Sequence, residues 1–518
     1  MPLRVRSGPE VPVAHKMLVE SDPYETRIAV VEDDKTTEVY LERRLHRGVV
    51  GNVYKGRVTR VLPGMQAAFV DVGLERDAFL YVDDVVDATA AEDDTDLVHS
   101  RGAGNGDLDV EPLAAVESPS IDSLLKVGQE LLVQVTKDPL PNKGARVTTQ
   151  VTLPGRFLVL LPTVGHLGVS RKIEDEAERA RLRALLEEAT AGGHGGWIVR
   201  TAGEGRARED FVADRDYLVG LWARLRQLAE RASAPLLVHQ DLDLALRVVR
   251  DQFSADFTVL WVDGEETYTR IVEFLDQVQP PLVPRVKLDR GERRLFDRFG
   301  IDREIEAALK PKVWLKSGGY LVINPTEALV AIDVNTGRYV GSRNLEETAL
   351  ATNLEAVEEV VRQIRLRDLG GIIVLDLIDM TEMAHRERVF AALESELRKD
   401  RAKYKVLSIS EFGLVEITRK RSRSNLERLL TQTCPYCEGS GRIPSLATIC
   451  LSLRRAALRL AGTLGSKELL LRVHPDVARA LQGEERAIVD ELERELGAAL
   501  LIQGDAKIHH TSFDILEV

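Results

Sequence analysis

The segments Ala331-Ile332-Asp333-Val334-Asn335-Thr336-Gly337 and Gly371-Ile372-Ile373-Val374-Leu375-Asp376-Leu377-Ile378-Asp379 each carry an apolar strand-like run into an aspartate. One amphipathic stretch lies between them. From about Leu345 to Arg367 the apolar residues Leu350, Leu354, Val357, Val361 and Ile364 step by three or four, and Gly370-Gly371 ends the pattern, which predicts a helix. A helical crossover of this length returns the chain parallel to its starting strand, so Asp333 and Asp376 are expected at the same carboxyl edge of one sheet. Neighbouring strands would hold the two carboxylates about 5 Å apart, where they repel unless a cation lies between them. Hard oxygen ligands with room for water suit magnesium. Asn335, two residues on, shares the face of Asp333, whereas Asp379 points elsewhere unless the chain has already turned. For either aspartate alone, capping a helix or turn is the commoner role; the pair favours a metal.

A chain of 518 residues is too long for one core, so several domains are expected. No apolar run approaches a membrane span, the first residues lack a secretory block, and the three cysteines are too few for a disulfide framework. These features set the cytoplasm as the expected location. The net charge of −13 argues against a nucleic-acid partner only until its distribution is considered. Between Asp83 and Ser120 stand eleven Asp or Glu and one Arg, a balance of −10, which leaves −3 for the remainder. Basic residues gather at Arg419-Lys420-Arg421-Ser422-Arg423 and between Arg285 and Arg298, so charge allows an RNA-binding face. The acidic stretch, rich in Ala, Asp, Gly and Ser, reads as a disordered inserted loop.

Thr26 to Glu42 reads as a hairpin around Asp33-Asp34-Lys35. Val53 to Val61, Ala67 to Val72, Ala78 to Tyr81 and Gln129 to Lys137 read as short strands of a closed Greek-key barrel of the oligonucleotide-binding kind. On such a barrel Phe69 and Phe79 are candidate stacking platforms, and Lys143 a phosphate contact, although a Phe on a short strand is more often core. Further on, Trp197 to Gly203 ends a strand in Arg200, Thr201 and a flexible turn, groups able to receive a terminal phosphate or simply to be solvated. Glu209 to Ala232 and His239 to Phe253 read as helices, Phe257 to Val262 as a strand, and Lys312 to Ile323 as a hairpin with a Ser317-Gly318-Gly319 turn. A helix from about Glu382 to Arg398 and a strand from Lys405 to Ile409 complete an α/β domain.

Cys434-Pro435-Tyr436-Cys437, followed by Gly439-Ser440-Gly441, resembles half of a zinc knuckle. A closed structural zinc site takes four ligands, and Cys450, in an apolar helical stretch, reads as core. Two chains each donating Cys434 and Cys437 to one shared Zn2+ complete the set and predict a metal-linked homodimer. A redox dithiol is the alternative, but no thioredoxin-like pattern is evident around the pair.

Taken together, Asp333-Val334-Asn335-Thr336-Gly337, Val374-Leu375-Asp376-Leu377-Ile378-Asp379-Met380 and Cys434-Pro435-Tyr436-Cys437 resemble the ribonuclease E/G family of bacterial endoribonucleases over nearly the entire chain. The resemblance implies Mg2+-dependent hydrolysis of single-stranded RNA, with 5′-phosphate ends as products and ribosomal RNA precursors and mRNA as substrates. It assigns Asp333 and Asp376 to the metal and Asn335 to their support. Phe69, Phe79 and Lys143 correspond to the RNA grip, and Gly155, Val159, Arg171, Arg200 and Thr201 to a pocket that senses a 5′-monophosphate. Lys403 stands where the family carries an arginine beside the active site, keeping the charge and losing the bidentate fork.

The architecture implied is α/β multidomain: an RNase H-like domain over residues 1–48 and 245–308, an OB-fold barrel over 49–148 with the acidic insertion 83–120, and a 5′-sensor over 149–244. A DNase I-like catalytic domain over 309–430, a zinc link over 431–445 and a small C-terminal domain over 446–518 follow. A homodimer, and a tetramer built from it, are the implied assemblies. With no long tail after Val518, the shorter branch of the family is the expected one.

Overall fold

The computed structural model describes residues 15–43, 47–85, 120–139, 143–173, 175–191, 195–337, 345–410, 412–421, 423–460 and 468–518. The fold is mixed α/β, and contacts divide it into two units, Met1–Leu426 and Glu427–Val518.

In the first unit the hairpin Glu25–Glu32 and Lys35–Arg43 joins His15–Ser21, which pairs in parallel with Phe257–Val262. One sheet is thus completed by segments more than two hundred residues apart in sequence. Its strands are continuous apolar runs, Met17 to Val19 and Ile28 to Val31, buried beneath the helices Leu244–Gln252 and Glu265–Val278. Between them the chain builds a barrel. Val53–Leu62, Ala67–Asp71, Ala78–Tyr81, Arg146–Thr148 and Glu130–Lys137 pair in that order, and the last returns to the first, so five strands close on themselves.

Three local expectations change. His239 ends a strand, Leu236–His239, that pairs with the outside of the barrel, and the helix starts only at Leu244. Asp243 caps that helix by accepting the Leu246 N–H, a signal that ranks above the apolar spacing used to place the helix start earlier. The acidic insertion does not begin at Asp83. Asp84 is buried and accepts both Nε and Nη2 of Arg146, so its carboxylate belongs to the barrel wall; the remainder of the stretch, 86–119, lies outside the described residues. Finally, the basic runs are largely neutralised internally. Arg419 bridges Asp368 and Asp400 at 2.7 and 2.6 Å, Arg423 reaches Asp368, and Arg298 reaches Asp289.

A four-stranded sheet, Leu167–Val169, Gly196–Val199, Leu158–Leu161 and Leu153–Pro154, carries the helices Glu176–Thr190 and Arg208–Arg231. The following α/β sheet has six strands in the order Lys312–Trp314, Tyr320–Pro325, Leu329–Asn335, Gly371–Asp376, Leu414–Arg419 and Tyr404–Val406. Only its central pair, Leu329–Asn335 and Gly371–Asp376, runs parallel. The connecting helix Leu345–Leu366 buries Leu350, Val357, Val361 and Ile364 against that sheet. Its far side meets the hairpin, where Arg365 pairs with Glu32 and Glu38 and Arg362 donates to the Thr36 carbonyl; Arg362 also pairs with Glu304 on the helix Ile301–Ala308. Burial raises the Glu38 carboxyl, but Arg365 and the Tyr40 hydroxyl outweigh it and hold the group at about 2.

In the second unit, Ala499–Gly504, Glu468–Val473 and Phe513–Glu517 form a three-stranded sheet. The helices Leu446–Leu460, Pro475–Gln482 and Arg486–Leu496 enclose a core that contains Cys450, as expected. Among the described residues no helix is long and apolar enough to cross a membrane.

Candidate carboxylate and nucleic-acid site

Asp333 and Asp376 are direct partners in the parallel register. Ile332 and Val334 are buried, as are Leu375 and Leu377, so strand alternation turns both aspartates to the same exposed side. Asn335 donates its Nδ2 to Asp333 Oδ2 at 2.7 Å, fixing that carboxylate. Gly337 then turns the backbone at φ +63°, passing so close to the Gly318 carbonyl that a Cβ would sit 2.4 Å from its oxygen.

Asp379 does not point away. The strand ends at Asp376, the chain turns, and the negative charge of Asp379 acts on Asp376 together with that of Asp333. Desolvation first, and then these two charges, raise the Asp376 carboxyl above its ordinary value. The turn is held by Asn353, a fully buried residue on the crossover helix: its Nδ2 donates to the Ile378 carbonyl at 2.8 Å and its Oδ1 accepts the Ile378 N–H at 3.1 Å. Nothing in the apolar periodicity marks Asn353; a polar residue on the buried face of a helix is the only signal the chain offers. Asp333 and Asp376, exposed oxygen donors in direct register, form a pair that fits a hard divalent cation, with Asp379 near enough for its charge to act on Asp376.

On the barrel, Phe69 and Phe79 are cross-strand partners that alternate with buried Ala68, Val70, Ala78 and Leu80, so they face outward instead of filling the core. Their rings meet edge to face at 5.5 Å, and Phe79 meets Tyr81 at 4.5 Å. Arg60 lies over Phe69 and Arg146 over Tyr81. Tyr81, Arg60 and Arg146 were not singled out from sequence, although Tyr81 follows Phe79 at the two-residue spacing of one strand face. Lys143 is exposed on the loop before Arg146–Thr148.

The sensor residues gather around one strand end. Arg200 donates to the Gly155 carbonyl and pairs with Asp251 at 2.7 Å. Asp251 is desolvated, but hydrogen bonding and charge from Arg250, with Arg200 added, hold it at about 2. At Gly155 a Cβ would lie 2.5 Å from both oxygens of buried Asp214, which accept the backbone N–H groups of Arg156, Phe157 and Leu158; only glycine lets this turn form. Thr201 is exposed, with its hydroxyl 3.4 Å from that of Ser170, next to exposed Arg171. Val159 is half-buried on the adjoining strand, opposite Ile198. Lys403 keeps company with this group: burial, then the positive charges of Lys420, Arg200 and Lys403, lower the Lys172 amine. Lys172 extends the cationic surface beyond the residues named from sequence, and Lys420, from the basic run read there, adds to it.

In the second unit Cys434 is exposed and Cys437 half-exposed on a turn between the short helix Leu426–Leu430 and the helix that begins at Leu446. Backbone N–H groups of Cys437 and Tyr436, with the Cys437 side chain, lower the Cys434 thiol, favouring the ligating thiolate.

A family model described as Ribonuclease E/G family matches residues 152–422, and one described as RNase E/G, Thioredoxin-like domain matches residues 433–518. The second match corrects the expectation that no thioredoxin-like pattern surrounds the cysteine pair; the pair nevertheless sits on a turn and not at a helix start. The chain is 41% identical to Ribonuclease G of Salmonella typhimurium (strain SL1344) over 503 residues and to Ribonuclease G of Escherichia coli (strain K12) over 501, in each case covering 97% of this chain and 99% of the relative. It is 34% identical to Ribonuclease E of Escherichia coli (strain K12) over 97% of this chain and 46% of that relative. A closed barrel, a strand-end aspartate pair and a cysteine turn, matched nearly end to end, place this chain in the ribonuclease E/G family.

Proposed function

We propose that the chain is an endoribonuclease that hydrolyses single-stranded RNA at the edge bearing Asp333, Asp376 and Asp379 and leaves 5′-phosphate ends. The observation that carries this reading is the direct register of Asp333 with Asp376 on the one parallel strand pair of its sheet. Relatives named Ribonuclease G, matched over almost their whole length, support RNA as the substrate. In the same reading the split sheet is RNase H-like, the barrel an OB fold, and the sheet of the aspartates DNase I-like.

Asp333 and Asp376 would hold a magnesium ion, which when bound supplies Lewis acidity toward phosphate and an acidified water. Asn335 keeps one Asp333 oxygen occupied and so orients the other. Phe69, Phe79 and Tyr81 offer stacking faces to unpaired bases while Arg60, Lys143 and Lys403 meet phosphates. Magnesium-dependent appearance of new 5′-phosphate ends on an unstructured RNA tests the proposal; RNA binding without new ends would leave a non-catalytic RNA-binding factor instead. Ribosomal RNA processing and mRNA turnover in the cytoplasm are the roles this activity would serve.

A 5′-monophosphate would enter at Gly155, Val159, Arg171, Arg200 and Thr201, where Asp251 already holds the Arg200 guanidinium in place. Arg200→Ala is expected to erase, by about tenfold, the preference for 5′-monophosphorylated over 5′-hydroxyl RNA, with 5′-hydroxyl cleavage unchanged. Cleavage rates on matched substrates check this, and an unchanged ratio removes the sensor.

Cys434 and Cys437 would share one zinc with the same pair of a second chain, making a homodimer that can pair into a tetramer. Replacing both by serine is expected to convert the dimer to monomer in sedimentation, at least one hundredfold weaker in self-association, about 3 kcal/mol.

A further inference from the structure

We infer that His474, Asp476 and His510 form a second transition-metal site, for zinc or a similar borderline ion, separate from the paired cysteines and from the carboxylate edge. One ligand atom from each of the three lies within 4.8 Å of the other two. The individual spans fit a common ion. His474 Nδ1 is 3.5 Å and His510 Nε2 2.9 Å from Asp476 Oδ2, and ligands on tetrahedral bonds of about 2.0–2.1 Å stand roughly 3.3 Å apart.

His474 Nδ1 accepts the Asp476 N–H at 3.2 Å, and because an imidazole nitrogen has a single lone pair, an ion bound there would take the place of that hydrogen bond. At His510 the other nitrogen, Nδ1, is engaged by the Tyr436 hydroxyl, leaving Nε2 toward Asp476. Arg479 occupies Asp476 Oδ1 and leaves Oδ2 facing the imidazoles. His510 and Asp476 each have an outer partner that orients them, the arrangement that tunes metal-binding residues. The two imidazoles stack at 3.5 Å between centroids, and they would tilt apart to turn both ring nitrogens onto one ion. All three residues are only partly buried, which gives an ion a way in. Two imidazoles with one carboxylate select zinc, cobalt or nickel over magnesium.

An ion here would tie the start of the helix Pro475–Gln482 to the turn before Phe513–Glu517. Through the Tyr436 hydroxyl on His510, and the Tyr436 carbonyl that accepts from His509 Nε2 at 2.7 Å, it would also brace the Cys-Pro-Tyr-Cys turn.

The test is titration of the metal-stripped full chain with cobalt(II), with excess magnesium present to saturate the carboxylate edge. A thiolate-linked charge-transfer band is expected to saturate near half an equivalent per chain, and visible bands without thiolate character to add about one further equivalent. His510→Gln should weaken only the second phase by at least about tenfold, and His474→Gln likewise, while the thiolate band shows that each variant is folded. Cobalt binding confined to the thiolate phase, or a second phase that survives His510→Gln, would overturn the site and leave a hydrogen-bonded cluster.

Discussion

Replacing Asp376 by asparagine is expected to leave RNA binding intact and to slow cleavage at least about a thousandfold, about 4 kcal/mol of barrier. The loss is large because Asp376 is one of two carboxylates in direct register, and no other oxygen donor shares that strand position. The same substitution has an opposite effect on the resting protein. Asp376 is raised above its ordinary value by burial and by Asp333 and Asp379, so between its unfolded and folded values the native state holds more protons than the unfolded chain. Stability from this group is therefore present at low pH and lost as pH rises through the raised value. In magnesium-free buffer at pH 7 the asparagine variant should melt no lower than the parent. Added magnesium should raise the melting temperature of the parent and leave that of the variant almost unmoved. Parental cutting rates, or an equal magnesium shift in both proteins, would remove Asp376 from the metal.

The second large effect is expected at a residue that touches no substrate. Asn353 closes two hydrogen bonds with the Ile378 backbone and thereby sets the turn that brings Asp379 back toward Asp376. Leucine at this position fits the buried helix face but leaves the Ile378 N–H and carbonyl unpaired, a cost of about 2 kcal/mol. Displacement of the turn by about 1 Å is expected to lower kcat roughly a hundredfold while KM for RNA holds. A merely structural role would lower stability without changing the response to the ion. A positioning role predicts that the half-saturating magnesium concentration rises, and that excess magnesium restores part of kcat. Measuring rate against magnesium in both proteins separates the two.

Much of this could be read from the chain because it depends on local patterns. The crossover helix, its parallel strands and the shared face of Asp333 and Asn335 follow from periods of 3.6 and 2. The barrel was legible as short alternating strands, but its closing strand, Arg146–Thr148, is only three residues long and carries too little pattern to be found alone. His239 was misassigned for a related reason: an apolar run before a capped helix is ambiguous until its strand partner on the barrel is known. The basic run at Arg419 was visible as charge, yet its partners Asp368 and Asp400 are brought in by tertiary packing, so sequence overstated the cation available to RNA.

The sequence by itself determined that two aspartates end strands joined by one helix, that two cysteines form a turn, and that acid is concentrated in one segment. Each of these is a property of residues near one another along the chain, where spacing fixes direction. Only the tertiary structure decided that the charge of Asp379 reaches Asp376, that Asn353 holds the turn at Ile378 between them, that Phe79 and Tyr81 share an exposed strip with Arg146, and that two histidines approach Asp476. These depend on where turns and separate elements come to rest, and short-range hydrophobic periodicity carries no information about contacts between polar side chains far apart in sequence.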